Sequence, residues 1–410
     1  MQLLDMPCDV LEDILSHCSK PSRLALSLTS SKSNVLAAPY LLHNVHITCS
    51  PSHILSFVNY IIDHTQVHGG RGKNMDLSGA GVHIKILVIA YRAFFVDGER
   101  GAPSPTWASR LTQALALMPN LRAITLAYQV DEITASSSAF CGMLMSRPHL
   151  RSINLSSVDE SAAEQLWEAM KTRHGQMNLQ KVAVELKRQM EVTPIVGRGV
   201  GNILFYSRNS LTEVCLANCA LVDFLCTENR STSLVFPKVT SLSLTSCTAK
   251  ATALAHSFPN VQVFTIFNSH LTDVTCPQTC SAAQRGYPTL FPQISSLEGD
   301  EPDVTRFLQS DGPYQGCRRV VIDSQWDYPG KYVGDAAPNF SVLDVVPSLR
   351  SFHFYLWDVS PTESWWQELV QSAPQLVFLK ASVRIQTVSQ LDLSVSSLTY
   401  MGDELLKFPQ

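Results

Sequence analysis

The chain has 410 residues, 45% of them hydrophobic and 16% charged, with 31 basic and 35 acidic side chains and a formal charge of −4. That composition excludes a disordered or collagen-like chain and supplies a large core. It gives no electrostatic reason for a nucleic acid or an anionic membrane as partner, so neither is expected.

At about 150 residues per domain, length alone suggests two or three globular domains. Met1 to Cys18 lacks a basic leading stretch and is broken by Asp5, Asp9, Glu12 and Asp13, so no secretory signal is expected and the location reads as cytoplasmic or nuclear. The most apolar stretch, Ile84 to Val96, carries Lys85 and Arg92 and is too short to span a bilayer. Eleven cysteines, scattered from Cys8 to Cys317, have no disulfide-framework spacing and read as reduced thiols.

The first 45 residues read as three short helices. Pro7 precedes Asp9, a candidate N-cap, and Val10, Leu11, Ile14 and Leu15 then share one helical face. Pro21 and Ser22 punctuate, Leu24, Leu26 and Leu28 follow, and a third segment runs from Val35 to Leu42. So short a unit has little core of its own and needs a partner surface, either the rest of the chain or another protein.

Three phrases of this region, Met6-Pro7-x-Asp9-Val10-Leu11-x-x-Ile14-Leu15, Leu24-Ala25-Leu26-Ser27-Leu28-Thr29-Ser30 and Leu36-Ala37-Ala38-Pro39-Tyr40-Leu41, together resemble an F-box. The resemblance implies docking on the Skp adaptor, and through it on a cullin, by Met6, Pro7, Val10, Leu11, Ile14, Leu15, Leu24, Leu26, Leu28, Leu36, Pro39 and Leu41. Met6 stands where the family usually has Leu. The family's Trp is absent around Lys32 to Asn34, which removes a large anchor from a helical interface. The continuation through Val45 and Ile47 resembles fungal F-box proteins, in which a final strand leads into repeats. The alternative for the Val10, Leu11, Ile14, Leu15 face is packing of an N-terminal cap onto the rest of the chain.

Beyond residue 80 a short phrase recurs: a hydrophobe, two variable residues, a hydrophobe, one variable residue, a hydrophobe. Met118-Pro119-Asn120-Leu121-Arg122-Ala123-Ile124-Thr125-Leu126 matches Arg147-Pro148-His149-Leu150-Arg151-Ser152-Ile153-Asn154-Leu155. Both match Val346-Pro347-Ser348-Leu349-Arg350-Ser351-Phe352-His353-Phe354, with Pro and Arg in register. Weaker copies begin at Ile84, Leu179, Leu211, Val239, Val261, Ile294, Cys317, Leu376 and Leu398, a mean step of about 28 residues.

In a strand the last two hydrophobes of each copy share a face that one copy cannot bury alone. Stacking copies as a parallel sheet buries it, provided the connectors return the chain, and helices do so. Thr106 to Met118 and Asp159 to Arg173 have helical spacing, and Ser360-Pro361-Thr362-Glu363 reads as a capped start before Trp365, Trp366 and Leu369.

This pattern resembles irregular leucine-rich repeats, and Cys219 and Cys247, each three residues after the last hydrophobe, match the family's buried Asn-or-Cys turn position. The alternative is an ordinary α/β domain. The expected fold is therefore α/β: a three-helix F-box at 1–45, then a leucine-rich-repeat solenoid over 46–410, with about 11 to 13 repeats, a curved parallel sheet and helices on its convex side.

Catalytic patterns are poor. Gly197-Arg198-Gly199-Val200-Gly201-Asn202 lacks the third Gly of a dinucleotide fingerprint and reads as a loop. Gly69-Gly70-Arg71-Gly72-Lys73 has Val67 and Asn74 at two key positions of a phosphate loop, and reads as a surface loop. Cys276 and Cys280, even with His270, fall short of the four ligands of a structural zinc. No catalytic residue, metal or cofactor is expected.

Function is thus expected on surfaces. By the repeat register, Tyr128, Asn154, Glu185, Phe267, Arg319, Asp323, His353, Tyr355 and Trp357 lie on or near the non-core face. Exposed aromatics and Arg favour Phe267, Arg319, Asp323, His353, Tyr355 and Trp357 as contacts for a client protein. The expected role is the non-catalytic substrate-recognition subunit of an SCF-type ubiquitin ligase. The alternative is an adaptor-independent repeat scaffold capped by its N-terminal helices.

Overall fold

A computed structural model describes residues 6–66, 79–96, 99–100, 105–172, 178–187, 195–196, 198–221, 234–272, 291–310, 314–322, 340–357 and 363–384. The chain divides into two compact units, Met1–Thr212 and Glu213–Gln410.

The first unit opens with α1 (Cys8–His17), α2 (Lys20–Ser27) and α3 (Ser31–Leu42). Ser19 caps α2 by accepting from the Ser22 N–H at 3.3 Å, and Ser30 caps α3 by accepting from the Ser33 N–H at 3.1 Å. Pro21 belongs to the first turn of α2, where its missing N–H costs nothing, and so it starts a helix rather than breaking one. The N-cap of α1 is Pro7, with no side-chain cap, so Asp9 lies inside the first turn.

After α3 come β1 (Asn44–Ile47), α4 (Pro51–Gln66), β2 (Ile86–Ile89), α5 (Pro105–Ala116), β3 (Ala123–Leu126), α6 (Val130–Ser136), α7 (Ala139–Met145), β4 (Ser152–Val158), α8 (Glu160–Lys171), β5 (Lys181–Leu186) and α9 (Arg198–Ser207). The strands pair in parallel and in chain order. Val45, Leu87, Ile124, Ile153 and Val182 form one cross-strand row, and Ile47, Ile89, Leu126, Leu155 and Val184 another. All ten are buried except Val45, which is half-buried. Helices stack in the same sequence, α4 on α5, α5 on α7, α7 on α8 and α8 on α9. The return helices thus pack on one another in the same order as the strands, which is how repeated phrases share one core.

The second unit carries β6 (Glu213–Ala217), β7 (Ser241–Thr245), α10 (Ala251–Ser257), β8 (Val263–Phe267), β9 (Ser296–Gly299), α11 (Glu301–Ser310), β10 (Arg319–Ile322), β11 (Ser351–Trp357), α12 (Glu363–Ser372) and β12 (Phe378–Arg384). These strands are again parallel and in chain order. Val214, Leu242, Phe264, Leu297, Val320, Phe352 and Leu379 make a buried row seven strands long. The phrase copies from Ile84 to Leu376 all run into strands of the two units, and the copy at Leu398 lies outside the described residues.

A turn recurs two residues after the last strand hydrophobe. Ser157, Asn218, Ser246 and Asn268 all have φ between 46° and 60°. The next residue, Val158, Cys219, Cys247 or Ser269, is buried in each case. Cys219 and Cys247 lie with Sγ atoms 3.5 Å apart, and Cys247 Sγ donates to the Leu216 carbonyl at 3.3 Å. Ser269 takes the same place one strand on: its Oγ accepts from the Cys247 N–H at 3.1 Å. The hydrogen bond with Cys247 and burial together push the Cys219 thiol up. Cys18, Cys49, Cys141, Cys215, Cys219, Cys247 and Cys317 are free thiols.

The glycine-rich segment around Gly199 is a helix start, not a loop. A Cβ at Gly199 would lie 2.7 Å from Ala163 Cβ, so α9 approaches α8 too closely for any side chain there. The Gly199 N–H also donates to Glu160 Oε1 at 2.9 Å. Gly299 is explained likewise, since a Cβ would meet the Ile266 carbonyl oxygen of the neighbouring strand. The copy begun at Ile294 therefore ends in Gly where the phrase calls for a hydrophobe.

Candidate protein-interaction surfaces

The three N-terminal helices have a core of small and aliphatic side chains. Leu11 (4% exposed) and Leu15 (2%) come from α1, Ser27 from α2, and Ser33 and Ala37 from α3. Arg23 pins the unit together. Its Nε donates to the Leu15 carbonyl at 2.7 Å and its Nη2 to the Ser16 carbonyl at 2.8 Å, satisfying acceptors at the end of α1. Its guanidinium lies 5.5 Å from the Tyr40 ring, and Tyr40 Oη donates to the Glu12 carbonyl at 3.2 Å. Burial, then the nearby Glu12 charge, raises the Tyr40 phenol above its ordinary value. Neither Arg23 nor Tyr40 stood out as a site residue in the sequence.

Large aliphatic side chains lie on the outside instead. Val10 is 41% exposed, Leu24 53%, Leu28 79% and Val35 74%. Pro7 is exposed too, while Met6, Ile14, Leu26, Leu36, Pro39 and Leu41 are half-buried. The twelve positions named from the sequence thus divide in exposure, and Leu11 and Leu15 are turned inward. Val35 was not among the twelve. Its signal was the apolar run over residues 35–42 of α3, which leaves apolar side chains outward once others pack inward. The helix α3 also packs against β1 and the turn Ala80–His83 of the first unit.

On the second unit, Phe267, Arg319 and His353 alternate with the buried row and occupy the other sheet face. Phe267 is beside Thr245, Arg319 between Ser296 and Ser351, and His353 between Val321 and Lys380. Arg319 is exposed, and Phe267 and His353 are half-buried. Asp323 and the side chains of Tyr355 and Trp357 lie outside the described residues. On the first unit Asn154 is half-buried and Glu185 exposed, while Tyr128 stacks on Phe95 (centroids 5.6 Å) and meets Tyr91 edge-on at 5.0 Å.

Among the described residues no group of three or more His, Cys, Asp or Glu is placed to hold a metal, and no helix is long and apolar enough to cross a membrane. Cys276, Cys280 and the Gly69–Gly72 stretch lie outside the described residues.

Residues 3–38 match the F-box domain family. The match spans α1, α2 and most of α3. A comparison with curated proteins returns no match. Among solved structures, the chain is similar at 13% identity and a TM-score of 0.40 to one from the crystal structure of the Rad7 and Elc1 complex in yeast, with 81% of this chain and 90% of that chain covered.

Proposed function

We propose that this chain, which carries an F-box domain at residues 3–38, is the substrate-recognition subunit of an SCF-type cullin ubiquitin ligase, in the cytoplasm or nucleus. The observation that carries the reading is the set of large aliphatic side chains left exposed within the matched residues: Val10, Leu24, Leu28 and Val35. A soluble helical unit exposes such residues together where another protein covers them. On this reading they dock on the Skp adaptor together with Pro7 and the outer edges of the half-buried positions. Leu11 and Leu15 shape the helices from inside.

The parallel strands and return helices beyond residue 45 act as leucine-rich repeats, and the sheet face bearing Phe267, Arg319, Asp323, His353, Tyr355 and Trp357 holds the client protein. Such a subunit needs no reacting group of its own. It works by proximity, raising the effective concentration of client lysines at the transferase.

The test is co-purification of the full chain with the Skp adaptor. Leu24→Asp with Leu28→Asp places charge on the docking face and is expected to weaken recovery by at least ~30-fold, about 2 kcal/mol, while the protein stays folded. Leu11→Ala acts differently, lowering stability by about 2–5 kcal/mol through a cavity in the helical core. Undiminished recovery of the double variant would move the interface elsewhere. A second reading, an adaptor-independent scaffold whose first helices cap the repeats, draws support from the packing of α3 on β1 and Ala80–His83. It requires that the full chain recover no adaptor at all.

A further inference from the structure

The Arg that recurs in the phrase has a structural consequence across the first unit. The Lys85 N–H donates to the His43 carbonyl at 3.1 Å, the Arg122 N–H to the Lys85 carbonyl at 2.7 Å, and the Arg151 N–H to the Arg122 carbonyl at 2.8 Å. These four residues are therefore direct neighbours where β1 to β4 begin, one per strand. His43, Arg122 and Arg151 are exposed and Lys85 half-buried. Among the described residues, Lys85, Arg122 and Arg151 form no ion pair. Parallel strands about 4.8 Å apart make this a row roughly 15 Å long. The field there is positive: after burial, Lys85 and Arg122 are the main causes holding the His43 imidazole below its ordinary value, with Arg23 adding to them.

We infer that this row is a docking strip for an acidic, extended polypeptide segment of a partner protein, with carboxylates paired to Lys85, Arg122 and Arg151. An extended chain rises about 3.3 Å per residue, so five or six residues laid across the strands match the row. Guanidinium groups bind carboxylates through paired N–H donors. Nucleic acid fits less well. Duplex binders neutralise about six to ten phosphates and single-strand binders interleave aromatic stacking platforms, whereas the next positions along these strands are Asn44, Ile86, Ala123 and Ser152. This inference rests on the reading of the repeats as a client-binding surface, and gives that client a chemistry.

The experiment uses the full chain and a fluorescent peptide of ten residues rich in Glu, followed by anisotropy at 50 and 200 mM salt. The same peptide with Gln for Glu, and a single-stranded oligonucleotide of equal charge, serve as comparisons. Binding of the Glu peptide at 50 mM, loss of affinity at 200 mM, and a further drop of about tenfold in Arg122→Ser with Arg151→Ser are expected. Lys238→Ser, which removes an exposed cation of the second unit, should leave affinity within twofold. No binding of the Glu peptide at 50 mM, equal binding by the double variant, or tighter binding of the oligonucleotide overturns the inference. Adaptor recovery measured on the same samples is independent of these residues, so its failure would count against the ligase reading and not against the strip.

Discussion

Asp300 and Asp303, at the start of α11, close the recurrent turn of the preceding strand. Asp300 Oδ2 accepts from the Asn268 N–H at 2.7 Å, Asp303 Oδ2 from the Ser269 N–H at 2.8 Å, and Asp300 Oδ1 from the Asp303 N–H at 2.9 Å. Both side chains are buried, and burial, with some help from the adjacent Asp300 charge, pushes the Asp303 carboxyl up to about 6. An acid whose pKa is higher folded than unfolded holds its proton longer in the folded state. Its contribution to stability is full below the unfolded value near 3.8 and is lost as pH rises through about 6. Asp303→Asn keeps an acceptor for Ser269 but cannot ionise. The melting temperature of the variant relative to the parent should therefore climb between pH 4 and pH 7, and a flat difference would show that Asp303 titrates normally. Only the contact between Asp300 and Asp303, three residues apart at the helix start, is local; the Asn268 and Ser269 donors lie more than thirty residues away and leave no mark in the sequence. Arg23 escaped notice for a different reason: its value lies in the carbonyls of Leu15 and Ser16, and backbone acceptors leave no trace in a side-chain pattern.

Strands were legible because their register depends on a period of two, which the phrase displays openly. A copy such as Leu150-Arg151-Ser152-Ile153-Asn154-Leu155 places its hydrophobes on one face whatever the neighbours do. Connectors were less legible where packing overrode local preference. Around Gly199 the three glycines argued for a loop, yet contact between α8 and α9 selects a residue without a side chain and tolerates the weak helix propensity. Gly199→Ala should thus cost about 1–3 kcal/mol by forcing the two helices apart. Gly142, in α7, has nothing within 4 Å of an added Cβ, so Gly142→Ala should gain about 0.4–1 kcal/mol. Chemical denaturation of the two variants checks both, and equal shifts would mean that helix spacing at Gly199 relaxes freely. Within the proposed adaptor face, periodicity identified the apolar stripe of α1, of which Leu11 and Leu15 turn inward and Val10 outward, while Leu24, Leu28 and Val35 are exposed at α2 and α3.

At the scale of the whole chain, the sequence pointed to a helical module of about 45 residues followed by one repeat array, a division that stands as part of the proposed function. The two compact units divide at Thr212 and Glu213, and the first contains the F-box helices together with the parallel strands β1 to β5. Contact density places that boundary, whereas composition and phrase spacing report changes of texture, so the two measures need not coincide. The first unit takes α3 as the lead into β1, whose Val45 and Ile47 extend its buried rows. The F-box is thus covalently and sterically the first step of the repeat geometry.

The distribution of side-chain size in the N-terminal helices has a further effect. Ser33 and Ala37 are inside and Leu28 and Val35 outside, so bound adaptor would stabilise the helices according to its concentration over its dissociation constant. On the proposed reading, a molecule without adaptor leaves Leu24, Leu28 and Val35 open to the cell's quality-control machinery. Its lifetime should then follow the supply of adaptor, and pulse-chase with the adaptor depleted is expected to shorten the half-life of the parent chain severalfold. Leu24→Asp with Leu28→Asp, insensitive to adaptor, should show one half-life in both conditions. The subunit would in that case be matched in number to its ligase by turnover, without a dedicated regulator.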